Sequence, residues 1–166
     1  MIEQMKIFVN KTGRLKYTGG DKMSQKDTVF LLRECSAGIK TAVASIDGVM
    51  PYVKEETMLQ LLKNSKQSHE NLGKSVDSEL HKLGVDGKNP NIMAKSMSAI
   101  KINAELAFKP TEAQAASLIT DGCGMGIKSI NRYMNQYPAA GDTAMNMAQK
   151  LGTLEQELVD SMKPYL

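Results

Sequence analysis

At 166 residues the chain has the length of one compact domain and enough material to bury a sizeable core. Hydrophobic residues make up 42% and charged ones 23%, while Trp is absent and Met reaches 12, a balance that suits helices better than sheet. The net charge of +3 is carried wholly by residues 1–22, where Lys6, Lys11, Arg14, Lys16 and Lys22 outweigh Glu3 and Asp21. The neutral remainder offers no electrostatic footprint for nucleic acid or an anionic membrane.

No apolar run approaches the length of a membrane span, and Met1 to Val9 lacks the long apolar stretch of a secretory signal. Two cysteines without such a signal predict a cytoplasmic setting in which both thiols stay free. Residues 1–22 read in two ways. Gly19-Gly20-Asp21-Lys22-Met23 back-translates to a purine-rich bacterial ribosome-binding site ahead of a start codon, which predicts an extension ahead of a domain over 23–166. Alternatively, Lys6-Ile-Phe-Val and Leu15-Lys-Tyr-Thr, joined by a turn at Asn10-Lys-Thr-Gly13, predict a β-hairpin.

From Ser24 onward the pattern is helical. Ser24-Gln-Lys-Asp27 has the form of a capped start, and Leu32, Cys35, Ile39, Ala42, Ile46, Val49 and Val53 draw one seam at alternating spacings of three and four. Acidic Glu55 and Glu56 open a second helix with its seam through Met58, Leu62, Ser65, His69, Leu72, Val76, Leu80 and Leu83, and Gly84 stops it. Turn residues at Gly87-Lys-Asn-Pro90 precede a shorter helix carrying Met93, Met97, Ile100 and Ala104. Thr111 and Gln114, spaced as a capping box, start a third long helix with its seam at Ala116, Ile119, Cys123, Ile127, Ile130, Met134 and Tyr137. Gly122, Gly124 and Gly126 inside it predict close helix approach or a local irregularity. Asp142 is the expected N-cap of the last helix, which reads through Met147, Leu151, Leu154, Leu158 and Met162. Two antiparallel hairpins joined by a long crossover with a short extra helix make a four-helix bundle of ferritin-like topology.

The heptapeptide Cys35-Ser-Ala-Gly-Ile-Lys-Thr41 returns as Cys123-Gly-Met-Gly-Ile-Lys-Ser129, an internal repeat that relates the first and third helices. In this pattern the chain resembles small bacterial members of the ferritin-like superfamily over residues 24–166, in which a Cys-x-x-Gly-Glu pattern repeats on these helices. The resemblance implies that both acidic positions have become Ile39 and Ile127, pointing inward at matching heights. A ferritin-like di-iron site takes a Glu from each of two helices and a Glu-x-x-His from each of the other two. Here the second helix offers Lys66-x-x-His69 and the fourth Glu155-x-x-Leu158, and no Glu-x-x-His occurs. The di-iron site is thereby expected to be lost.

His69 is the one imidazole on the four seams, read first as a core histidine beside Ser65 and second as a remnant metal ligand. Glu34, Asp121 and Glu155 fall at similar heights and are the other candidates for a reduced metal site. Each lies one position off its seam, so solvated flanking charge is the expected state. Cys35 and Cys123 are read as small hydrophobes, with a redox pair as the alternative. Lys40 and Lys128 are expected in solvent, and His81 is expected near its helix's carboxyl end. No phosphate loop, nucleophile motif or zinc spacing is present. These readings predict a non-catalytic structural or interaction protein, acting as a homodimer or with a protein partner, with no catalytic residue and no cofactor. The alternative is a metal-binding or oxidoreductase protein holding iron or another divalent metal around His69.

Overall fold

The computed structural model describes residues 7–9, 15–17, 20–90, 106 and 111–166. Ile7–Val9 (β1) pairs antiparallel with Leu15–Tyr17 (β2), Phe8 opposite Lys16. Among the described residues the rest of the regular structure is helical. Its four long helices are α1 (Gly20–Val49), α2 (Glu56–Lys82), α3 (Glu112–Gln136) and α4 (Asp142–Met162). None is long and apolar enough to cross a membrane. The shorter helix expected around Met93 to Ala104 lies outside the described residues.

The helix boundaries follow local chemistry. Glu55 caps α2, its carboxylate accepting from the backbone N–H groups of Thr57 and Met58. Thr111 caps α3, its hydroxyl accepting from Gln114 N–H at 3.2 Å, as the spacing predicted. Gly84, at φ +70°, ends α2 in a Schellman arrangement, with Val85 N–H donating to the Leu80 carbonyl and Gly84 N–H to that of His81. Two expected starts are corrected. α1 opens at Gly20, upstream of Ser24, because no helix breaker separates the two. Gly141 rather than Asp142 is the N-cap of α4, its carbonyl accepting from Ala144 and Met145, and Asp142 becomes the first helical residue.

Hydrogen bonds at the two ends fix how the helices run. At one end Asp27 and Thr28, early in α1, accept the N–H groups of Ala139 and Gly141 in the α3–α4 turn at 3.2 and 2.8 Å. At the other, Glu112 accepts from Lys54 N–H at 3.2 Å, and the Tyr165 hydroxyl donates to Glu55 at 3.1 Å. α1 is therefore antiparallel to α2 and to α3, and α4 is antiparallel to α2 and to α3. The connection from α2 to α3 must return the length of the bundle, about 40 Å for a helix the size of α2. Leu106, fully buried, places one residue of that return path in the core near the α2 start, beside Met58 and Leu62.

The core is divided. One apolar cluster gathers Ile46, Val49, Met58, Leu62, Ile119, Cys123, Leu158 and Met162. The other gathers Leu31, Cys35, Ile39, Leu72, Val76, Ile130, Ala148 and Leu151. Between them fall Ala42 on α1, Ser65 and His69 on α2, Gly126 on α3 and Glu155 on α4. This middle layer carries two buried ionisable side chains, His69 and Glu155.

Two expected seams shift there. On α3 the inward series is Ile119, Cys123, Gly126, Ile130, so Gly126 replaces Ile127, which is only half-buried. On α4 it is Ala144, Ala148, Leu151, Glu155, Leu158 and Met162, so Glu155 replaces Leu154. Ile39 is 3% exposed and packs in the second cluster. The pairing of Ile39 and Ile127 as two inward isoleucines is thereby corrected.

Candidate functional site

His69 is fully buried at the middle of α2. Its Nδ1 lies 2.8 Å from the Ser65 carbonyl oxygen, one turn back. A carbonyl only accepts, so Nδ1 carries the hydrogen and donates it. The opposite nitrogen, Nε2, has no hydrogen-bond partner and stands 3.9 Å from Glu155 Oε1, beyond hydrogen-bond reach. Ser65, expected beside His69, holds it through backbone as well as hydroxyl, the latter at 3.4 Å from Nδ1.

Glu155 is 5% exposed, which overturns the reading of its carboxylate as a solvated flanking charge. Gly126 is the cause. A Cβ at that position would fall 3.0 Å from Oε1 and 3.1 Å from Cδ of Glu155, tighter than an ordinary contact, so glycine gives the carboxyl group room. Burial raises the Glu155 pKa above its ordinary carboxylate value, while a hydrogen bond from the Cys123 thiol and the proximity of His69 act to lower it. Burial also raises the Cys123 pKa, and Glu155 adds to the rise through its charge and its hydrogen bond. Cys35 is pushed up to about 12 by burial and by the charge of Glu34. Both cysteines are free and remain thiols at neutral pH, inert as nucleophiles. They occupy different core clusters, so the repeat does not bring them together as a redox pair.

A cleft of about 350 Å3 opens between α1 and α3 and reaches down to Glu155 and Cys123. Small residues make its walls: Ala37, Gly38 and Ala42 from α1, Gly122 and Gly126 from α3. Gly38 also admits Leu151 of α4, whose Cδ2 would lie 3.3 Å from a Cβ there. Of the three glycines on α3, only Gly126 marks a close approach; Gly122 and Gly124 face open space, and the helix runs through them unbroken.

The other candidates lie elsewhere. Glu34 sits at the cleft's edge in an ion pair with Lys88 at 2.5 Å. Asp121 is exposed on α3. Lys40 is not simply solvated: its ammonium donates to Asn89 Oδ1 at 3.2 Å and to the Lys88 carbonyl at 3.4 Å. With Ser36 donating to Asp77 at 3.1 Å beneath Gly87, these contacts pin the first residues of the crossover onto α1 and α2. Of the four predicted residues the fold joins two, His69 and Glu155. Among the described residues no three His, Cys, Asp or Glu side chains converge as metal ligands.

No protein-family model, curated protein or solved structure matches the chain.

The roles of Gly126 and of Cys123 beside Glu155 were missed from sequence. The spacing of Ala148, Leu151, Glu155, Leu158 and Met162 does place Glu155 on a strict seam, a signal masked by the competing apolar Leu154.

Proposed function

We propose that the chain is a ferritin-like four-helix bundle from a bacterial cytoplasm that has lost its di-iron chemistry and serves a non-catalytic structural or interaction role. The antiparallel packing of neighbouring helices, with α2 and α3 running in the same direction, supports the topology. The carrying observation is the middle layer. Where a di-iron bundle needs four carboxylates and two imidazoles, this layer holds Ala42, Ser65, His69, Gly126 and Glu155. Lys66, at the place of a bridging Glu, turns away to pair with Asp47 at 2.6 Å, and Leu158, at the place of a His, is buried hydrocarbon. One imidazole and one carboxyl group do not fit a di-iron centre.

The unpartnered Nε2 of His69, aimed at Glu155, favours the second reading, a reduced metal site on these two side chains. Elemental analysis of purified protein and of His69→Ala separates the two. Metal-free protein of both kinds supports the non-catalytic role. Stoichiometric iron, manganese or zinc that is lost in the variant establishes the metal-binding reading instead. Sedimentation of the same samples tests for the homodimer.

A further inference from the structure

The cleft between α1 and α3 is walled by residues too small to fill it, yet its floor is a carboxyl group. Small residues alone would only mark close helix packing. Glu155 adds a second and independent feature: it is 5% exposed, lines the cleft beside Cys123, and lies beyond hydrogen-bond reach of His69 Nε2 at 3.9 Å. A carboxylate accommodates about four hydrogen bonds. The remaining acceptor positions of Glu155 are the polar feature at the bottom of an otherwise largely apolar opening.

We propose that this cleft binds a small organic cation, a primary ammonium group on a short hydrocarbon body, with the ammonium on Glu155. The site stands apart from the loss of di-iron chemistry and is independent of it. Charge selects the ligand. Lys88, which lines the cleft, is already paired with Glu34 at 2.5 Å and does not serve Glu155. A bare metal ion is poorly served, since no three ligands converge among the described residues. An ammonium group needs only hydrogen-bond acceptors and brings the opposite charge that a buried carboxylate lacks. The hydrocarbon body has apolar walls at Ala37, Ala42 and Ile119, and Met125, 72% exposed at the cleft, supplies an adaptable apolar edge. A volume of about 350 Å3 lies at the small end of ligand pockets.

The test is calorimetric titration and thermal melting of the full chain near neutral pH with hexylamine, set against hexanol and hexanoate. Hexylamine should bind and raise the melting temperature, and the alcohol and the acid should do neither. Glu155→Gln should weaken hexylamine binding by about tenfold or more, the loss of a charge-assisted hydrogen bond. Gly122→Leu provides a second variant at a position where a Cβ meets nothing within 4 Å; its side chain, placed on the cleft wall, should abolish binding in protein whose melting temperature is unchanged. Absence of hexylamine binding to the unmodified protein overturns the site, as does hexanol binding equally well. Undiminished binding to Gly122→Leu, or to folded Glu155→Gln, overturns it equally.

Discussion

The carboxyl group of Glu155 packs against Gly126, 3.0 Å from where the Cβ of any other residue would stand. That contact joins α4 to α3 at the level of the core that also holds His69. It also gives the three glycines of α3 opposite expectations. Gly126→Ala pushes its new methyl to 3.0–3.1 Å from the Glu155 carboxyl group, which must shift to relieve the contact, and should destabilise the protein by about 1–3 kcal/mol. Gly122→Ala and Gly124→Ala enter open space on a helix and should each stabilise by about 0.5–1 kcal/mol. Urea denaturation of the three variants checks the ordering.

Combining Gly126→Ala with Glu155→Ala should remove most of the first substitution's cost, because the group it displaces is gone. Additive effects in the double mutant, measured in the same denaturant series, would mean that the glycine is required for another reason.

The middle layer also shows how far sequence carries. The seam of α2 was legible throughout, His69 included, since its neighbours Leu62, Leu72 and Val76 are unambiguous hydrocarbons. The caps at Thr111 and Gly84 were legible because their chemistry is local. Glu155 was not, because the apolar Leu154 beside it competes for the seam and the room its carboxyl group needs comes from Gly126 on another helix. The same gap misplaced Ile127: glycine carries no hydrophobic signal, so the pattern passed to the apolar residue beside Gly126. The cleft was invisible for a related reason, since Ala37, Gly38 and Gly122 read equally well as close packing.

Ile39 and Ile127 therefore part company under substitution. Ile39→Glu buries a charge 3% exposed at its wild-type position and should cost about 3–5 kcal/mol. Ile127→Glu places the carboxylate on a half-buried position with access to water and should cost about 1 kcal/mol or less. Melting curves of the two single variants suffice; equal losses would restore the symmetric arrangement.

The thiols should be silent in the native protein. With Cys35 raised to about 12 and Cys123 raised too, both are protonated and buried near neutral pH. Ellman's reagent should react with neither on the timescale of free cysteine, and with both once denaturant is added. Rapid labelling of Cys123 in the folded state would show that the cleft exposes its sulfur.

The central claim is that burial outweighs the nearby His69 and Cys123 in setting the protonation of Glu155, and its pH linkage tests this most directly. Its folded pKa is raised above the ordinary value of 4.5, so the folded protein keeps a proton that the unfolded chain has released. Stability from this group is complete below the ordinary carboxylate pKa and is lost as pH rises through the higher folded value. Unfolding free energies of the unmodified protein and Glu155→Gln, measured from mildly acidic to mildly alkaline pH, isolate the effect. The account predicts that the variant is the more stable of the two at alkaline pH and that its advantage shrinks steadily toward acid. A variant less stable than the parent at alkaline pH would contradict it, because the carboxylate would then be contributing as a compensated ion.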